Sequence, residues 1–154
     1  MPSFQRMPSF QRIAGCVALA AACTAAALPA RAAFSYMSPA QTQAYSCRTT
    51  TDAGQFAASL PICLAAAATF KQIGDGEKLN PWYSYELEGR MLEAAAVDYA
   101  GLKRHREAFE TAMRAHRLLL YVYRSYKMDA DDYASIAAIT SRLAALETAE
   151  RSKL

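Results

Sequence analysis

The sequence predicts an all-α fold, a small antiparallel bundle of four or five helices, and three observations carry that expectation. Across residues 104–126, Ala108, Phe109, Ala112, Ala115, Leu119, Val122, Tyr123 and Tyr126 fall on one arc at about 100° per residue, opposite Arg106, Glu110, Arg114, Arg117 and Arg124. Ahead of them, Asn80-Pro81 reads as a helix start, since Asn can accept a bond from a first-turn amide and Pro has no amide to leave unpaired. Behind them, Ile136, Ile139, Leu143 and Leu146 repeat at the 3-4 spacing of a helical seam.

Taken in order, the chain begins with an address. Met1 to Arg6 is repeated as Met7 to Arg12, which reads as an alternative start that leaves a short basic segment. The uncharged, Ala-rich run Ile13 to Leu28 follows, then Pro29-Ala30-Arg31-Ala32. Ala30 and Ala32 suit a signal peptidase, so residues 1–32 are expected to be a general-secretion signal cut between Ala32 and Ala33. The run is too short, and too rich in Ala, for a membrane anchor, and no transmembrane span is expected after cleavage. Lipid attachment at Cys23 is the competing reading. The expected location is the periplasm or beyond the cell.

Cleavage changes the charge argument. Removing Arg6, Arg12 and Arg31 from 17 basic residues leaves 14, against 14 acidic ones. A neutral mature chain has no global field for nucleic acid. Only Cys47 and Cys63 remain, an even count in an oxidising compartment, so a Cys47–Cys63 disulfide is expected, with two free thiols as the alternative.

Residues 33–52 are expected to be an arm with a short helix between Pro39 and Tyr45, and 53–154 a single all-α domain. From Ala53 to about Ile73 a helix is expected, with its start placed as late as Pro61 because an internal proline loses a backbone bond. Gly74-Asp75-Gly76 ends it; without Lys-Ser/Thr after a strand, this is no phosphate loop.

Next comes the hairpin, with helices of about 80–101 and 104–126 joined through Gly101-Leu102-Lys103-Arg104. From Gly89 to Val122 it resembles one tetratricopeptide repeat, a unit of about 34 residues. Leu92, Ala96, Tyr99, Leu102, Glu107, Ala108 and Ala115 fall on its signature positions. Leu92 stands for the usual Trp, Lys103 for the turn Gly, Ala112 for the aromatic and Leu120 for the closing Pro. No second copy is evident at the same period. The resemblance implies that Arg90, Glu93, Val97 and Ala100 face a groove that binds peptide segments.

Asp129, Asp131 and Asp132 open the last helix, where acids complement the helix dipole; the spacing lacks the central Gly and final Glu of a calcium loop. The seam beyond them suits the hairpin or a second copy, so a homodimer through the C-terminal helix is a candidate assembly. His105 and His116 lie about 16 Å apart along a helix and cannot share a metal. No nucleophile elbow and no free Cys beside a His is present. No catalytic residue, metal or cofactor is therefore expected. The expected function is a non-catalytic protein that binds a protein or peptide partner. Its candidate surfaces are the Arg90, Glu93, Val97 and Ala100 stripe and the basic face of Arg114, Arg117, Tyr121 and Arg124. A small-molecule or lipid carrier is the alternative, and an enzyme with an unfamiliar site the weaker one.

Overall fold

Each of the five helices found among the described residues follows from where the chain can bury an apolar side. The computed structural model describes residues 37–154, and from Ser38 to Leu154 these form one compact unit. The expected signal, with Cys23, Ala32 and Ala33, lies outside the described residues. The helices are α1 (Pro39–Asp52), α2 (Phe56–Gly76), α3 (Trp82–Gly101), α4 (His105–Ser125) and α5 (Ala130–Arg151), with no strand among the described residues. This is the predicted all-α bundle.

The first helix is longer than the sequence suggested. A capping box at Ser38, whose hydroxyl accepts from the Gln41 amide while Gln41 reaches back to the Ser38 amide, starts α1, and Pro39 occupies its first turn. It then runs past Tyr45 to Asp52. The Ser- and Thr-rich composition argued for an arm, but Ala40, Cys47 and Thr51 are buried, so packing outweighs propensity. The sulfurs of Cys47 and Cys63 lie at disulfide distance, 2.10 Å, joining α1 to α2.

The helix expected from Ala53 is α2, which starts at Phe56, and Pro61, the later start, sits inside it. So close to the N-terminus the proline removes one backbone bond, while Ser59, Leu60, Cys63, Ala66, Ala67 and Phe70 still bury one side. By length and composition α2 could cross a bilayer, but that side is buried among the neighbouring helices. Asn80-Pro81 also differs from expectation: Pro81 is the cap, Trp82 is the first helical residue, and no side chain caps the end. At α5 the expectation holds, as Asp129 accepts from the Asp132 amide at 2.9 Å.

Short connections fold consecutive helices back on one another. Beyond these pairings, α1 meets α3 and α3 meets α5. The middle helix α3 is therefore covered on several sides, and Met91, Leu92, Ala94, Ala95 and Ala96 are all buried. At its crossing with α4 the chain can afford only Gly89, since a Cβ there would stand 2.6 Å from Leu119 Cδ2. Ile136, Ile139 and Leu143 bury the α5 seam within the same core.

A candidate binding cleft between α1, α3 and α5

On the side where α1, α3 and α5 meet, the structure leaves a cleft of about 590 Å³. Ala94 and Val97 from α3 and Leu143 and Leu146 from α5 supply apolar lining, with Ala145 and Ala149 beside them. Arg48 and Asp52 from α1 and Glu93 and Arg142 from α3 and α5 supply charge. Val97 is 38% exposed, so the apolar wall is reachable.

Two of the four charges neutralise each other. Arg142 donates from Nε to Glu93 Oε1 at 2.7 Å and from Nη2 to Glu93 Oε2 at 3.1 Å, a two-pronged pair between α5 and α3. The Glu93 bond holds the Arg142 guanidinium above its ordinary pKa. Glu93 is itself buried. Arg90, one turn earlier, is also engaged: it donates to Glu86 at 2.8 Å and 2.5 Å and to Ser135 of α5 at 2.7 Å. The predicted stripe thus splits. Glu93 and Val97 line the cleft, Arg90 is tied to α5 next to it, and Ala100 is half-buried and does not line the cleft.

Beneath the cleft lies a residue that the sequence reading passed over. Asp98 is fully buried, and neither carboxylate oxygen makes a hydrogen bond of ordinary geometry. Burial pushes its pKa up, and the nearby hydroxyls of Ser59 and Thr51 offset this in part. Those hydroxyls are 2.6 Å apart, Ser59 donates to the Cys47 carbonyl at 3.1 Å, and Ser59 Oγ stands 3.2 Å from Cys63 Sγ. A lone acid inside Ala94-Ala95-Ala96-Val97-Asp98-Tyr99 was the available signal.

The basic face on α4 is less uniform than its composition implied. Arg114 reaches across to Glu88 on α3 at 2.9 Å. Burial pushes the Glu88 carboxyl up, and Arg114 offsets part of that. Arg117, Tyr121 and Arg124 stay exposed, with Arg117 donating to the Met113 carbonyl at 3.3 Å. Tyr121 stacks edge-on with Tyr126, whose phenol is pushed up to about 12 by that neighbour's hydrogen bond and by burial.

The two histidines work separately, each across to α5. His105 Nδ1 lies 2.6 Å from Glu150 Oε2, and His116 Nδ1 lies 2.8 Å from Glu147 Oε1. Burial raises the Glu150 carboxyl, but the bonds from Lys153 and His105 outweigh it and hold the group below its usual range. Among the described residues no group of acids, Cys and His is placed to hold a metal ion. No protein-family model, curated protein or solved structure matches this chain.

Proposed function

We propose that this chain is a secreted, non-catalytic docking protein that receives a segment of a partner protein in the cleft between α1, α3 and α5. The observation that carries this reading is the cleft itself: an open apolar trough walled by three alternate helices, with charged groups held at its edge. Alternate helices lining one concave side is also how helical repeat proteins present extended binding surfaces, which favours the tetratricopeptide-like reading of the hairpin. Glu93 and Arg142 are spent on each other, which supports a structural role for that pair at the cleft edge.

The volume gives a second reading some support, since about 590 Å³ falls within the range of small-molecule sites. A carrier of a small amphipathic molecule would use the same walls. Affinity capture on the mature chain separates the two. A stoichiometric protein lost on Val97→Glu supports docking; recovery of only a lipid or metabolite, lost on the same variant, supports the carrier. N-terminal sequencing of the exported protein tests the secretion reading, with Ala33 as the expected first residue.

A further inference from the structure

We propose that the segment taken up by this cleft carries a carboxylate beside an aliphatic side chain, and that Arg48 is the residue that selects it. The inference rests on the docking reading above and adds the chemistry of the occupant.

Charge in the cleft is unevenly spent. The Glu93 carboxylate takes both prongs of Arg142, so that pair is closed. From α1 come Arg48 and Asp52, which lie one turn apart yet form no ion pair with each other or with any other described residue. Asp52 is exposed at the rim. Arg48 is half-buried already. An occupant made only of apolar groups would strip the water left on its guanidinium and offer no acceptor, leaving a desolvated charge unpaired. An occupant that brings a carboxylate instead meets a planar donor suited to two parallel hydrogen bonds.

The rest of the lining sets the second half of the requirement. Val97 and Leu146 offer contact to an aliphatic side chain, with Ala94 and Leu143 buried behind them, and Ala145 and Ala149 leave room for a backbone to come close.

Arg48 is also held in place before anything binds. Its neighbour Cys47 is joined to Cys63 on α2, and Thr51, one turn further, is hydrogen-bonded to Ser59 on the same helix. The backbone carrying the guanidinium is therefore fixed from both sides, which lowers the ordering cost on binding. A half-buried cation on a fixed backbone, with no ion-pair partner among the described residues and beside an apolar trough, is a selective element awaiting an anion.

The test uses displayed random peptides with free C-termini, selected on the mature protein, with the winners remeasured on variants whose folding is checked by circular dichroism. The expected winners share an Asp, a Glu or a terminal carboxylate next to Leu, Ile or Val. Their affinity falls about tenfold or more on Arg48→Gln, as expected for loss of a charge-assisted bond, and is unchanged on Lys127→Gln, at an exposed position that does not line the cleft. Winners without an acid, or winners that bind Arg48→Gln equally well but fail on Val97→Glu, overturn the role of Arg48 and leave docking in the cleft standing. Failure to enrich any sequence, or winners indifferent to Val97→Glu, overturns both.

Discussion

Arg142 grips both carboxylate oxygens of Glu93, at 2.7 Å and 3.1 Å, and so ties the last helix to the middle one along the edge of the cleft. Glu93 is buried whereas the Arg142 side chain is 55% exposed, so the two ends of the pair are not equivalent. Arg142→Ala leaves a buried carboxylate without its partner and is expected to cost about 1–3 kcal/mol by chemical denaturation. Arg142→Ala made in a Glu93→Gln background is expected to cost less, because no charge is left stranded; equal costs in both backgrounds would mean that the pair is not coupled.

Asp98 gives a pH dependence with a definite sign. Burial places its native pKa above that of the unfolded chain, so on raising the pH the unfolded chain gives up this proton first. The resulting penalty is absent below the unfolded value of about 3.9 and grows until pH passes the native one. Asp98→Asn is therefore expected to stabilise the protein at neutral pH by about 1–3 kcal/mol and to flatten this part of the stability profile. A variant less stable than the parent at pH 7 would show that the carboxylate is satisfied in a way the hydroxyls of Ser59 and Thr51 do not account for.

The link between Cys47 and Cys63 closes a short loop, 16 residues in sequence separation, with both cysteines wholly buried. Replacing both by Ala is expected to destabilise the fold by about 3 kcal/mol through the freed unfolded chain. Intact mass under non-reducing conditions checks the bond directly, and two alkylatable thiols in the exported protein would contradict it.

Close approach of α3 and α4 at Gly89 leaves no room for a methyl group. Gly89→Ala is expected to cost about 1–3 kcal/mol through overpacking against Leu119. Gly76→Ala is the control: a Cβ there meets nothing within 4 Å, so thermal denaturation is expected to show little change or a gain. Equal losses at both positions would contradict packing against Leu119 as the cause, since helix propensity alone favours Ala over Gly at each.

How much of this was legible in the sequence differs between elements. The hairpin was read nearly to its ends, because the apolar arc of α4 is one-sided and Ala108, Ala112, Ala115, Leu119 and Val122 are indeed its buried set. The first helix was underestimated, because Thr49, Thr50 and Thr51 are poor helix formers and the burial that overrides them is set by α2. The binding stripe was half legible: Glu93 and Val97 share a face by spacing, but that α5 would supply a partner for Glu93 could not be read from α3. Arg48 and Arg142 join them only through the meeting of helices far apart in the chain, and no periodicity within one helix reports that.

The measurement that bears most directly on the docking cleft is site-specific photocrosslinking in cells, with a benzophenone side chain at Val97 and, as the control, at Ala138, which is exposed on α5 and does not line the cleft. A discrete protein adduct from Val97, absent from Ala138 and reduced by Arg48→Gln, is the predicted result. Adducts of equal yield from both positions, or none from Val97, would contradict it.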